Sequence, residues 1–221
     1  MFIAGTEVDG DLFFSAHQMN GIFKQDGKTK KIKYLGSVKE ETENGRLHNI
    51  AIHYADRIYF IPSIGDYIAK WDLTTSKIET IAIPSSNHAC ETVKFSNAIL
   101  IGKQLWLTPM GYDAILMMDL DTEKIERYAD WPDGVEWKDP MVVQFCSGLY
   151  IQDKLCLCPR DSKVFVTFDL KSKKMKAWDW EYSPNAFCGM VYDNDNIWLV
   201  PRLEYPYIVK YNIKEESKTL I

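Results

Sequence analysis

The chain has 221 residues, 46% hydrophobic and 13% aromatic, enough to bury a sizeable core and too much for a disordered segment. Its 26 Lys and Arg against 31 Asp and Glu give a net charge of −5, which argues against a dedicated nucleic-acid binder. No run approaches the roughly 18 apolar residues of a membrane-spanning helix, and Met1-Phe2-Ile3-Ala4-Gly5 carries no basic leader, so a cytoplasmic protein without a membrane partner is expected.

In chain order, one unit is written five times. The first copy opens on Phe2-Ile3-Ala4, then Leu12-Phe13-Phe14-Ser15-Ala16, Gly21-Ile22-Phe23-Lys24-Gln25-Asp26 and a hairpin at Lys28-Thr29-Lys30-Lys31. The second runs His48-Asn49-Ile50, Ile58-Tyr59-Phe60-Ile61-Pro62, Tyr67-Ile68-Ala69-Lys70-Trp71-Asp72 and, after Lys77, Ile78-Glu79-Thr80-Ile81-Ala82-Ile83. The third has Phe95-Ser96-Asn97, Leu105-Trp106-Leu107-Thr108-Pro109, Ala114-Ile115-Leu116-Met117-Met118-Asp119 and Lys124. The fourth has Phe145-Cys146-Ser147, Leu155-Cys156-Leu157-Cys158-Pro159, Val164-Phe165-Val166-Thr167-Phe168-Asp169 and, after Lys174, Met175-Lys176-Ala177-Trp178. The fifth has Phe187-Cys188-Gly189, Ile197-Trp198-Leu199-Val200-Pro201, Tyr207-Ile208-Val209-Lys210-Tyr211-Asn212 and Ser217.

The second phrase ends at 16, 62, 109, 159 and 201, steps of 46, 47, 50 and 42 residues. A period in the forties built from short apolar runs is that of a radial array of small sheets. Each copy supplies four strands. The second is apolar at both alternating sets, so both faces of each sheet must be covered. The third ends on Asp or Asn, whose side chain bonds nearby backbone and favours a turn. The first carries small residues, as an innermost strand needs where sheets converge. The expected fold class is all-β, a single β-propeller domain of five four-stranded blades, or a partial ring of a larger six- or seven-bladed propeller. Blade boundaries fall at approximately 1–45, 46–88, 89–138, 139–183 and 184–221.

This order of strand, Pro or polar turn, strand ending in Asp and Lys hairpin resembles the broad kelch-like and streptogramin-lyase-like propeller superfamily. Leu105-Trp106-Leu107-Thr108-Pro109 and Asn196-Ile197-Trp198-Leu199-Val200-Pro201 are similar to the Trp-bearing strand of the lyase repeats. The resemblance spans essentially the whole chain and implies the fold. The diglycine and paired aromatics of kelch repeats and the Trp-Asp ending of WD repeats are missing. Lyase-type members would imply catalytic histidines with a bound divalent ion, and no such motif is matched residue by residue.

In a propeller, the loops from strand two to three and from strand four to the next strand one gather on one face, a common place for a ligand. The candidate ligand-binding residues there are His17, Arg46, His48, His88, Glu91, Tyr112, Arg160, Arg202 and Tyr205. Arg160 and Arg202 each directly follow the phrase-ending Pro in neighbouring copies, and two guanidinium groups at one opening would suit a carboxylate or phosphate. The alternative is that they pair with Asp161 and Glu204 on the surface. His48 stands where the other copies have Phe. It reads as a core histidine or, with His17 and His88, as part of a metal or acid–base cluster. The five cysteines, including Cys156 and Cys158 on one strand face, read as small, reduced, buried hydrophobes. No Ser/His/Asp order, phosphate-cradling glycine loop or His-Glu-x-x-His stands out, so no catalytic residue, metal or cofactor is assigned. The expected role is a non-catalytic binding module for a protein, peptide or glycan partner. The alternative is a metal-assisted lyase or hydrolase using His17, His48 or His88 with Glu91.

Overall fold

The computed structural model describes residues 2–41, 45, 47–88, 93–179, 185–202 and 205–221. Among them every regular element is a strand, and twenty strands form five four-stranded sheets. The first sheet holds β1 (Phe2–Val8), β2 (Asp11–Ala16), β3 (Ile22–Gln25) and β4 (Ile32–Gly36). The second holds β5 (His48–Tyr54), β6 (Arg57–Pro62), β7 (Tyr67–Asp72) and β8 (Lys77–Ala82). The third holds β9 (Phe95–Ile101), β10 (Gln104–Pro109), β11 (Ile115–Asp119) and β12 (Ile125–Tyr128). The fourth holds β13 (Phe145–Ile151), β14 (Lys154–Pro159), β15 (Val164–Asp169) and β16 (Lys174–Asp179). The fifth holds β17 (Phe187–Tyr192), β18 (Asn196–Pro201), β19 (Val209–Asn212) and β20 (Ser217–Leu220). Strands are neighbours in sequence order in every sheet. The fold is therefore all-β, built of four-stranded blades of the β-propeller type.

Two local devices recur and explain the repeat in the sequence. The first is the turn after each third strand. The side-chain oxygens of Asp26, Asp72, Asp119, Asp169 and Asn212 each accept the backbone N–H groups two and three residues on, at 2.6–3.1 Å. Four residues beyond each lies a left-handed residue, Lys30, Ser76, Glu123, Lys173 or Glu216, with φ of 50–59°. The second device is a bulge at the start of the inner strand. Phe2, His48, Phe145 and Phe187 pair with Ala16, Pro62, Pro159 and Pro201, and the register then slips by one residue. The bulge takes Asn49, Cys146 and Cys188 out of the ladder.

The chain forms two compact units. One runs to Ser85 and takes in Gly102–Leu105 and Met118–Ile125; the other is Ser86–Ile101, Trp106–Met117 and Glu126–Ile221. In the first, β1 lies against β5, and Phe13, Ile22, Ile58, Phe60 and Trp71 pack into one core. Lys70 is buried there beneath Glu79 (2.7 Å) and Glu123 (2.5 Å), a pairing that keeps its charge inside the packing. In the second unit β13 lies between β9 and β17. Trp106, Phe145, Leu155, Val166 and Phe168 form one core layer, and Phe165, Phe187, Ile197, Leu199 and Tyr211 another. The second and third strands of the second, third and fourth sheets are buried almost throughout, whereas the outer strands β4 and β20 are mostly exposed.

Close approach of the inner strands in the second unit depends on one glycine. A Cβ on Gly148 would stand 2.4 Å from Thr108 Oγ1 and 2.6 Å from Thr108 Cβ, while Asn97 Nδ2 donates to Gly148 O at 3.0 Å. Gly148→Ala is therefore expected to cost about 1–3 kcal/mol by overpacking, read from urea denaturation. Unchanged stability would show that β10 and β13 can separate freely.

Candidate functional site

In the second unit the ends of the second strands and the segments that lead into the inner strands meet at one edge of the sheets. Backbone bonds hold them together: Met110 N donates to Lys94 O at 2.8 Å, Arg160 N to Gln144 O at 2.9 Å and Arg202 N to Ala186 O at 2.7 Å. Asn185 N donates to Arg160 O at 2.6 Å, tying the entry of β17 to the exit of β14. Ser63 N to Leu47 O is the corresponding bond in the first unit.

Asn185 sits in the left-handed region with φ 63°, and this turns its side chain toward both arginines. Its Oδ1 accepts from Arg160 Nε at 3.4 Å and from Arg202 NH1 at 3.2 Å. The half-buried Arg160 and exposed Arg202 thus converge on one neutral amide oxygen. Among the described residues neither has a carboxylate partner: Asp161 Oδ2 instead accepts the Val143 N–H at 2.9 Å, and Glu204 lies outside them. Tyr205 closes one side, its N–H donating to Arg202 O at 2.9 Å and its ring edge-on to Phe187 at 5.2 Å. The result is two guanidinium groups whose remaining N–H donors are, among the described residues, uncommitted to any fixed negative charge, an arrangement suited to carboxylate or phosphate oxygens.

Three cysteines lie at the strand ends beside this pair: Cys146 in β13, Cys158 in β14 and Cys188 in β17. Cys146 and Cys188 occupy equivalent bulge positions and donate to the last two carbonyls of the neighbouring strand, Cys146 Sγ to Cys158 O at 3.7 Å and Cys188 Sγ to Val200 O and Pro201 O at 3.7 Å. The expectation that the cysteines are buried is corrected for two of them: Cys146 is half-buried and Cys188 exposed, because the bulge breaks the in-and-out alternation of the strand. The neighbouring Cys158 thiol lowers the Cys146 thiol against the opposing effect of burial, and the Arg160 and Arg202 charges add to the lowering. Burial and that same contact push Cys158 up, and burial pushes Cys156 up to about 12. Cys90 lies outside the described residues.

The other candidates have different surroundings. Tyr112 is only 1% exposed and packs on Phe95 at 5.1 Å, so it serves the core and offers no surface to a ligand. Its neighbour Asp113 is also buried, gathering Arg127 NH2 at 2.7 Å, Ser86 Oγ at 2.8 Å and Asn87 N at 3.0 Å. His88 Nε2 donates to Asp139 O at 2.9 Å beside Trp137. In the first unit His17 Nδ1 is buried without a partner. His48 is buried edge-on to Phe60 at 6.2 Å, its Nε2 also unpartnered, and burial pushes its pKa down to about 4. Arg46 and Glu91 lie outside the described residues. Among the described residues no three His, Cys, Asp or Glu side chains are placed to hold a metal ion. Cys146 and Cys188 were missed as site residues, although the repeat alignment puts both cysteines one residue after the inner-strand start, in the copies that carry the two arginines.

No protein-family model and no curated protein sequence matches the chain. Among solved structures it is similar to virginiamycin B lyase from Staphylococcus aureus, at 15% identity and a TM-score of 0.66, covering 100% of this chain and 69% of that one. It is also similar to the extracellular domain assigned to a hybrid two component system of B. thetaiotaomicron, at 17% identity and a TM-score of 0.67, covering 99% of this chain and 29% of that one. A chain of the mitotic checkpoint complex matches at 10% identity and a TM-score of 0.61, over 94% of this chain and 59% of that one. The sequence thus spans under a third of the sensor chain and about two thirds of the lyase. At such identities the likeness is one of fold, and that fold is the β-propeller.

Proposed function

We propose that the chain is a recognition module and that Arg160 and Arg202, bridged by Asn185, take a carboxylate carried by an acidic peptide, a protein surface or an acidic glycan. The observation that carries this reading is that both guanidinium groups reach one amide oxygen and, among the described residues, no carboxylate. Each guanidinium has further N–H donors beyond the one bonded to Asn185, and Arg with aromatic neighbours such as Tyr205 is the usual composition of a recognition surface. The free thiols, one of them exposed, support a reducing, cytoplasmic setting.

The test pairs each acidic ligand with its neutral counterpart: an acidic peptide and its side-chain amide, a uronate oligosaccharide and its methyl ester. Ligands of the right class raise the melting temperature of the native chain. Replacing either arginine by alanine should weaken carboxylate binding about tenfold to a hundredfold, as expected for a lost charge-assisted bond. Equal binding of the neutral counterparts, or of the double variant, would refute the assignment. A shift with divalent cations alone would favour the metal-assisted lyase or hydrolase instead.

A further inference from the structure

We propose that Cys146 is a peroxide-reactive thiol and that Cys158 resolves it, the two closing a disulfide across the bulge between β13 and β14. The geometry comes from the irregular pairing. Phe145 pairs with Pro159 and Ser147 with Cys158, which leaves Cys146 unpaired directly over the end of β14. Its Sγ lies 4.0 Å from Pro159 O, and Cys158 Sγ lies 3.9 Å from the same oxygen. The third sheet shows how closely side chains at this pair of positions approach: Ser96 and Thr108, their counterparts there, have their hydroxyl oxygens 3.0 Å apart. A disulfide requires only a modest further approach.

Access and charge assign the roles. Cys158 is fully buried, whereas Cys146 is half-buried and can be reached from outside. Arg160, immediately after Pro159, and Arg202 supply positive potential that favours a thiolate at Cys146. The fifth sheet repeats the bulge at Cys188 but has Val200 where the fourth has Cys158, so the more exposed thiol has no strand partner to resolve it.

The chemistry balances with hydrogen peroxide as oxidant. The Cys146 thiolate sulfur attacks one peroxide oxygen, the O–O bond breaks, and the departing hydroxide takes a proton to leave as water, giving a sulfenic acid. Cys158 loses its proton and attacks the Cys146 sulfur; the S–O bond breaks and the second water leaves. Two thiols are oxidised by two electrons and one peroxide is reduced to two waters.

The experiment treats the reduced full chain with hydrogen peroxide, quenches with an alkylating reagent and maps peptides without reduction. A Cys146–Cys158 cross-link should appear about tenfold faster than oxidation of Cys188, although Cys188 is the more exposed. Cys146→Ser should abolish the cross-link, Cys188→Ser should leave it intact, and Cys158→Ala should leave Cys146 trappable by dimedone. Modification of Cys188 or Cys90 ahead of Cys146 in the native chain, or a cross-link to either of them, would overturn the proposal even if Cys158→Ala fails to fold.

Discussion

Trp106→Ala is expected to remove about 4 kcal/mol of folding stability, the cost of emptying a large aromatic site that neighbours cannot refill. The indole has no exposed surface. It stacks on Tyr128 at 5.8 Å with 20° between the rings and lies 5.7 Å from Phe168, while Lys173 Nζ sits 4.6 Å above its face. Each aromatic pair adds about 0.5–1.5 kcal/mol beyond burial, and the ammonium on the ring adds a similar amount. The substitution therefore removes the joint between the third and fourth sheets. For a chain of this size the melting temperature should fall by about 10 °C. Urea denaturation gives the number directly, and Trp106→Phe, which keeps a ring in place, should lose less. A cost below about 1 kcal/mol for the alanine variant would mean that the stack contributes little.

Acid should weaken the protein through His48. Its pKa is near 4 in the folded chain because burial disfavours the imidazolium, with a smaller opposing pull from the Tyr67 backbone, whereas the unfolded chain titrates near 6.5. A depressed folded pKa means that the unfolded state takes up the proton first as pH falls. Stability is thus intact above pH 6.5, declines between 6.5 and 4, and is not lost further through this group below 4. A gap of that size corresponds to about 3 kcal/mol. His48→Phe installs the residue that the fourth and fifth sheets carry at this place and should flatten the decline. Unfolding free energies across that pH range for both chains decide it: parallel curves would show that other groups govern acid sensitivity.

The repeat made the fold readable because every blade needs the same few things at the same places: two-sided apolar strands in the middle, an Asx turn at 26, 72, 119, 169 and 212, and a small residue at the centre. Arg160 and Arg202 were readable for the same reason, since they hold one column of that repeat. What joins them was not. Asn185 acts through a left-handed backbone and a shared oxygen, and residue type records neither. Tyr112 shows the converse error, a ring assigned to a loop by its position that folds back onto Phe95. Cys146 and Cys188 were hidden by the bulge, because a slip of one residue exchanges the inside and outside of a strand without changing its composition.

Strands such as β14 and β15 are covered on both sides, so hydrophobic patterning alone cannot tell one alignment of such a hairpin from another shifted by a residue. The carboxylate or amide clasped to its own downstream amides supplies the missing information. It fixes where the chain reverses, and with that which atoms face each other along the whole ladder. These five polar side chains, each half-buried at the rim of its blade, thus act as the indexing marks by which an otherwise ambiguous greasy ribbon is laid down in only one way.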